Sequence, residues 1–384
     1  MGNTIRNLVT ILATLLLLSG CQYQAKSSLT RNNVPAVVKK ATLKTSPIVN
    51  KIRVAIVMPQ SNNQHNVNQL IQLMKFGLNR SLEHKNVEVD VSVYDISDDK
   101  LMGEAIKQII GKNINVVLGP LLSKQTVTIA QGLKNTDTVI ISLSNDPSIT
   151  SQNVFVFGHA PFIQTKQIIR AYADRGHKNF LAYLPTSSDP IIGPALNEAS
   201  RSEVMCVLYD TNMEISFLKK TAAIISRIYQ EQGMSEKKDK FIIYCADDKS
   251  KNIKNLFAYF KEYNIADKIL ICGDQRLDIE EMMPIDYCFT GSANYFNNDI
   301  AHTLKSAIHA DYLSPMDKLA YDLGAIAGEA LGTAKFDKNA FITNLNSKSG
   351  YTGISGNMRF IDHRAQRLYD IIMRSGNEYK VMFE

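Results

Sequence analysis

The sequence has 384 residues, of which 45% are hydrophobic, and its formal net charge is +6. This hydrophobic share is typical of a globular chain and excludes a wholly disordered one. The charge excess is modest, and part of it lies in Lys26, Lys39, Lys40 and Lys44. Because no concentrated basic surface with interleaved aromatic residues is visible, the sequence predicts no nucleic-acid binding.

Residues 1–20 have the layout of a secretory signal peptide. Arg6 supplies positive charge, and the apolar run Leu8–Leu18 is too short to span a bilayer. The following Leu18-Ser19-Gly20-Cys21 resembles the lipobox of bacterial lipoproteins, which implies cleavage before Cys21, attachment of a lipid to its thiol and acylation of the new amino terminus. Several acyl chains together anchor stably. The alternatives are an N-terminal anchor helix or a plain secretory signal with an incidental cysteine.

Residues 21–50 are polar and lack apolar periodicity, which predicts a tether between the lipid and a folded domain. Gln22, where some lipoproteins carry aspartate, implies by the same resemblance that the chain is sorted to the outer membrane and faces the periplasm. No later apolar run is long enough for a second span, so the remainder is predicted to be soluble.

From Lys51 onward, strands and helices alternate. The apolar run from Val54 to Met58 ends at Pro59, as expected for a parallel strand buried on both faces. A helical stripe follows, formed by Val67, Leu70, Ile71, Met74 and Leu78. The other elements of this series are an alternating strand over Val87–Val93, a helix over Leu101–Ile109 that stops at Gly111, a strand over Ile114–Leu118, a helix over Thr126–Leu133 and a strand over Thr138–Ser142.

A second series begins after Val154–Gly158. Pro161 stands where the first turn of a helix tolerates proline, and Ile168, Ile169 and Tyr172 form an apolar face. Strands are predicted over Phe180–Leu184, Met205–Tyr209, Phe241–Cys245, Lys268–Cys272 and Asp286–Gly291, a small-residue helix over Pro315–Gly332, and a hairpin over Leu368–Met373 and Tyr379–Phe383.

Two successive series of this kind predict an α/β fold with two doubly wound parallel sheets. We expect residues 51–158 to form the first part of lobe one, 159–290 to form lobe two and 291–335 to return to lobe one. The C-terminal segment 336–384 is expected to pack with lobe two.

This arrangement resembles the type I periplasmic-binding-protein fold, whose two lobes are joined by crossover strands. Several segments are closer to the penicillin-binding protein activator group within that fold than to branched-chain amino-acid receptors. They are Leu118–Leu121, Ile141–Asp146, Val156–Pro161, Leu319–Asp322 and Tyr351–Phe360. The resemblance covers most of Lys51–Glu384.

Ligands of open α/β sheets bind beyond the carboxyl ends of the strands, between the lobes in this fold. The candidates there are Ser61, Ser123, Ser142, Ser144, Asn145 and Asp146 in lobe one and Asp189, Asp247 and Asp274 in lobe two. The resemblance to amino-acid receptors implies that Ser142 and Ser144 would bind a ligand carboxylate or ammonium, with Asp146 as an ammonium partner. Equally, residues 144–146 would simply cap and turn the chain before Pro147.

Nothing in the sequence indicates catalysis, a cofactor or a metal. The catalytic and nucleotide-binding signatures G-x-S-x-G, P-loop, H-E-x-x-H and G-x-G-x-x-G are absent from it. Cys206, Cys245, Cys272 and Cys288 lie in or at the ends of apolar segments, which favours buried free thiols, although three disulfide pairings are formally open.

Two functions therefore remain. The first is a lipid-anchored regulator that contacts a penicillin-binding protein, as the resemblance to the activators implies. The second is the capture component of an ABC importer that closes on a branched-chain amino acid or a similar small solute. Receptors of this fold carry an aspartate followed by Tyr-Gly, whereas Asp189 is followed by Pro190-Ile191-Ile192-Gly193, which favours the first function.

Overall fold

The structure is a computed structural model. It describes residues 51–60, 64–159, 161–175, 180–185, 205–209, 215–231, 240–245, 250–277, 286–296, 299–332 and 336–382. None of the helices in this part of the chain is both long and apolar enough to cross a membrane.

The first sheet has eight strands in the order β11-β12-β13-β5-β4-β3-β1-β2. Their bounds are β1 (Ile52–Met58), β2 (Val89–Asp95), β3 (Val116–Leu118), β4 (Val139–Ser142), β5 (Val154–Val156), β11 (Tyr351–Gly353), β12 (Gly356–Ile361) and β13 (Arg364–Leu368). Strands β1 to β5 pair in parallel, and β11 to β13 pair antiparallel with one another. A short parallel contact, Arg364 with Val156, joins the two groups.

Helices cover both faces of this sheet because its central strands are apolar on both sides. On β1, Val54, Ile56 and Met58 face one core, and Ala55 and Val57 face the other. The helices of this lobe are α1 (Gln64–Leu82), α2 (Asp99–Gly111), α3 (Ser123–Gly132), α8 (Ile300–Ile308), α9 (Pro315–Ala330) and α10 (Lys338–Leu345). The predicted apolar stripe of α1 is buried in the first core, as its spacing requires.

The second sheet has seven strands in the order β15-β14-β10-β9-β8-β6-β7. They are β6 (Phe180–Pro185), β7 (Met205–Tyr209), β8 (Phe241–Cys245), β9 (Ile269–Gly273), β10 (Tyr287–Gly291), β14 (Asp370–Ser375) and β15 (Glu378–Val381). Helices α4 (Pro161–Ala173), α5 (Ile215–Glu231) and α6 (Ser250–Glu262) follow strands of this lobe or precede them, and α7 (Ala293–Phe296) follows β10. The expected α/β fold with two mostly parallel sheets is confirmed.

The chain passes from one sheet to the other at three places, after β5, after β10 and after β13. A hydrogen bond ties the second crossover to the third: the amide of Ala293 donates to Asp370 Oδ2 at 2.6 Å. The hydroxyl of Ser292 donates to the carbonyl of Gly353 on β11 at 3.2 Å. The second and third crossovers therefore lie side by side.

The C-terminal segment differs from the expectation that residues 336–384 pack with lobe two. Strands β11 to β13 extend the first sheet, and only β14 and β15 extend the second. The first-sheet strands lack a clear local signal. Their inward-facing residues Met358, Phe360 and Ala365 are few, and an inward arginine, Arg367, interrupts the apolar series. The predicted C-terminal hairpin is present as β14 and β15.

Candidate functional site

A cleft of about 480 Å³ lies between the two lobes beside the first crossover. Lobe one contributes a mainly apolar wall, whereas lobe two contributes Gln164, Asp274 and Gln275. The wall of lobe one consists of Leu121, Leu122, Leu143, Asn145, Ser314, Pro315 and Met316. His159, on the crossover itself, closes one side.

Ser142 and Ser144, the predicted ligand hydroxyls, are turned into lobe one. Ser142 is fully buried, and its Oγ lies 2.7 Å from Thr126 Oγ1 and 3.1 Å from the carbonyl oxygen of Pro120. Ser144 is 2% exposed, and its Oγ lies 2.7 Å from Ser123 Oγ and accepts the amide of Asp146. These bonds join the end of β4 to α3 and to the loop after β3, so the hydroxyls already have partners inside the lobe.

Asn145 and Asp146 follow directly and differ in their roles. The carboxylate of Asp146 caps a short 3-10 helix, accepting the amide of Ser148 at 2.9 Å and its hydroxyl at 2.6 Å. These two hydrogen bonds hold the pKa of Asp146 below its usual value. Asn145 is exposed and lines the cleft. Of the four polar side chains predicted here in residues 142–146, Asn145 is the one that lines the cleft.

The wall of lobe two is built around Asp274 and a residue that the sequence did not indicate, Gln164. Asp274 follows β9 and is 3% exposed. Gln164 on α4 is 1% exposed, and its Oε1 accepts the hydroxyl of Thr290 at 2.6 Å and the amide of Gln275 at 3.0 Å. Gln164 thereby fixes α4 against the carboxyl ends of β9 and β10.

His159 is a second cleft residue that was not among the predicted site residues. It lies in Val156–Pro161, one of the segments that resemble the activator group. Its Nδ1 lies 3.2 Å from the hydroxyl of Tyr369 on the third crossover, and its Nε2 lies 3.3 Å from the carbonyl oxygen of Pro315 at the start of α9. Burial, and after it the nearby charge of Arg367, holds the pKa of His159 well below its usual value. The imidazole is therefore neutral at neutral pH.

A buried arginine supports the same crossover. The guanidinium of Arg367 stacks on the ring of Phe157, with its carbon 4.3 Å from the ring centroid, and Nη1 donates to the carbonyl of Gly158 at 3.1 Å. Gly158 approaches the backbone of Ser144 so closely that a Cβ at this position would overlap with the carbonyl oxygen of Ser144. The first crossover is thus fixed between β4 and β13.

The lip of the cleft is apolar. Leu122, just before α3, is 58% exposed, and Met316, in the first turn of α9, is 37% exposed. In the part of the chain that the structure describes, no group of three histidine, cysteine, aspartate or glutamate residues is arranged to hold a metal ion. The arrangement suits contact and burial of apolar groups.

Four predicted residues, Cys21, Ser61, Asp189 and Asp247, lie outside the described residues. Cys245, Cys272 and Cys288 are buried free thiols, as the apolar segments around them indicated.

No protein-family model matches the chain. An uncharacterized protein of Rickettsia prowazekii (strain Madrid E), RP748, is 32% identical over 342 residues, which are 87% of this chain and 89% of that protein.

Solved structures show the fold. The C-domain of LpoA from Haemophilus influenzae, a regulator of PBP1A, is 14% identical with a TM-score of 0.60, covering 86% of this chain and 100% of that domain. An ABC transporter substrate-binding protein from Desulfitobacterium hafniense in complex with Leu has the same identity, TM-score and coverage.

A branched-chain amino-acid ABC transporter periplasmic ligand-binding protein from Burkholderia xenovorans is 10% identical with a TM-score of 0.63, covering 86% of this chain and 94% of that protein. The chain has the type I periplasmic-binding-protein fold of these structures and belongs to the same family as the Rickettsia prowazekii protein.

Proposed function

We propose that this chain is a lipid-anchored, non-catalytic binding protein of the cell envelope that regulates a penicillin-binding protein through protein contact. The proposal rests on the side chains that form the cleft wall in lobe one. The hydroxyls of Ser142 and Ser144 are bonded within the lobe, and the surface that faces lobe two is formed mainly by Leu121, Leu122 and Met316.

This wall is unfavourable for an amino-acid zwitterion. A carboxylate or ammonium group that leaves water must find charged or hydrogen-bonding partners, since an unpaired buried charge is costly. Recruiting Ser142 or Ser144 would break the bonds that join the end of β4 to α3, and an unpaired buried polar group costs about 1–3 kcal/mol. An apolar wall with an exposed leucine at its lip is instead typical of a surface that contacts another protein.

The likeness to the C-domain of LpoA is compatible with this proposal at the level of the fold, which the chain shares equally with the Leu-bound protein from Desulfitobacterium hafniense. The anchoring and the envelope location follow from Leu18-Ser19-Gly20-Cys21, with Cys21 as the lipidated residue. Attachment to the outer membrane on its periplasmic side would place the tether 21–50 between the membrane and the two lobes.

The decisive experiment uses the full chain purified in detergent together with a penicillin-binding protein from the same cells. We expect direct binding and a changed rate of peptidoglycan synthesis, and no thermal shift with any amino acid. A heat-denatured sample of the chain is the control for both measurements. Absence of binding to every penicillin-binding protein of the cell would contradict the proposal.

The alternative is a solute receptor. It is favoured by the 480 Å³ cleft and by the buried Asp274 and Gln164 in its wall. Under this alternative, an amino acid at a hundred times its dissociation constant would stabilise the chain by about 2.7 kcal/mol. The shift would disappear in Asp274→Asn or Ser144→Ala and persist in Ser148→Ala, a matched control because Ser148 is exposed and does not line the cleft.

A further inference from the structure

A second and larger cavity, of about 860 Å³, lies away from the cleft, between α4 and the strands β11 to β13. We call it the basic groove. Four cationic side chains that line it are partly or fully exposed, namely Lys166, Arg170, Lys348 and Arg359. Among the described residues in its lining, Asp174 is the one carboxylate. Cationic side chains therefore outnumber carboxylates among the described residues of its lining.

The floor of the basic groove is the outer face of three antiparallel strands. Exposed and buried residues alternate along β12 and β13, and the cross-strand pairs Arg359 with Gln366 and Asn357 with Leu368 bring the exposed set together on one face. Leu368 is 74% exposed. The floor thus combines a cation, two amide side chains and a solvent-exposed leucine.

One wall of the groove is the outer side of α4. Lys166 and Arg170 are four residues apart and so share a helix face, while Ile168, Ile169 and Tyr172 pack into the second sheet. The side-chain amide of Gln167 makes two hydrogen bonds to the backbone of Tyr369 on the third crossover. Its Nε2 donates to the carbonyl of Tyr369, and its Oε1 accepts the amide of Tyr369. The wall is held against the crossover at this residue.

We propose that the basic groove binds an extended acidic segment of a partner protein that also carries an apolar side chain. The excess of cationic side chains in the lining favours an anionic occupant. The exposed Leu368 offers a contact to an apolar group beside the anionic ones, which an inorganic anion lacks. The amide of Gln366 can both donate to and accept from a peptide backbone. The amide of Asn357 can donate to it, since its Oδ1 already accepts from Asn294 Nδ2 at 3.0 Å.

The partner segment would contact both lobes at once. Helix α4 packs on the second sheet, and the floor belongs to the first sheet, so any change in the angle between the lobes changes the width of the groove. Binding there would consequently favour one lobe angle over others. This inference goes beyond the regulation of a penicillin-binding protein and holds for any acidic partner.

The test measures binding of a labelled glutamate-rich peptide with isolated leucines to the full chain in neutral detergent, by fluorescence anisotropy. Two companion peptides carry glutamine for glutamate or serine for leucine. We expect only the acidic peptides to bind, and their binding to weaken as salt is added because exposed charges are screened. Arg170→Glu and Arg359→Glu should each weaken binding about tenfold or more.

Lys107→Glu is the matched control, because it makes the same change in net charge on an exposed face of α2 outside the groove. Leu368→Ser should weaken the leucine-containing acidic peptide about tenfold and leave the serine companion unchanged. Melting curves of each variant show whether it is folded.

Three results would overturn the proposal. The first is no binding of the acidic peptides to the wild-type chain. The second is a loss of peptide affinity in Lys107→Glu equal to that in Arg170→Glu and Arg359→Glu, which would mean that the peptide responds only to the net charge of the chain. The third is binding of mixed micelles with phosphatidylglycerol, lost in Arg359→Glu, without binding of the peptides, which would mean a membrane-facing surface.

Discussion

At the scale of single residues, His159 is the side chain that connects most parts of the cleft. It touches the third crossover through Tyr369 and the start of α9 through Pro315, and it lies near the charges of Arg367 and Lys318. A protonated imidazole in this position would add a positive charge beside these two buried cations, so the folded chain resists protonation here.

This resistance predicts a dependence of stability on pH. The pKa of His159 is depressed in the folded chain and is about 6.5 in an unfolded one. Above about pH 6.5 the ring is neutral in both states and contributes no pH dependence. Below it, the unfolded chain binds a proton that the folded chain does not, so the free energy of unfolding falls by up to about 1.4 kcal/mol per pH unit.

Urea unfolding above and below about pH 6.5 measures this effect. His159→Gln should lose the contribution, so that its unfolding free energy declines less steeply than that of the wild type. His302→Gln, which alters an exposed histidine on α8, is the control and should retain the wild-type slope. If the unfolding free energies of His159→Gln and the wild type declined equally steeply with falling pH, His159 would not be the cause of the pH dependence.

At the scale of secondary-structure elements, one carboxylate joins helix α9 to the turn between β11 and β12. Asp322 is buried, and its two oxygens accept the amide of Ile354 at 3.0 Å, the amide of Ser355 at 2.7 Å and the hydroxyl of Ser355. Gly353 passes so close to this carboxylate that a Cβ there would overlap with it. Burial raises the pKa of Asp322, and these hydrogen bonds oppose the rise.

This contact joins two segments that lie far apart in the sequence, Leu319–Asp322 and Tyr351–Phe360. Asp322→Ala would leave the amides of Ile354 and Ser355 buried without a partner, at about 1–3 kcal/mol for each. We therefore expect a loss of about 3 kcal/mol or more in the free energy of unfolding.

Chemical denaturation measures this loss. Asp322→Asn keeps one acceptor oxygen and should lose less than Asp322→Ala, and Asp311→Ala, at an exposed loop position, is the control and should be near neutral. An Asp322→Ala variant as stable as the Asp311→Ala variant would show that the Asp322 carboxylate does not stabilise the contact between α9 and the β11–β12 turn.

At the scale of the whole molecule, the testable feature is attachment to the membrane. If Cys21 carries the lipid, Cys21→Ala should release the chain from the membrane fraction or block removal of residues 1–20. Fractionation of cells followed by immunoblotting measures both outcomes. The control is Gln22→Asp, which should stay membrane-bound and change only which membrane holds it. A correctly processed Cys21→Ala chain that still sediments with membranes would disprove lipidation at Cys21.

The sequence alone determined most of the parallel α/β architecture. Central strands such as β1 and β8 are apolar, apart from the exposed Arg53 near the start of β1, because helices cover both faces of their sheets. The helices between them repeat at 3.6 residues, so both kinds of element can be recognised locally. Seven residues of β1 and all five of β8 lie within or beside the runs from which they were predicted.

Only the tertiary structure decided where β11 to β13 lie and what the cleft residues do. Those strands have one solvent-exposed face and an inward-facing Arg367. Phe157 and Gly158, about two hundred positions away in the sequence, stabilise this arginine, and no local sequence pattern reveals such distant partners. The same is true of Ser142 and Ser144. As residue types they suit a ligand, but α3 packs against the end of β4 and pairs their hydroxyls with Thr126 and Ser123, because buried hydroxyls are hydrogen-bonded.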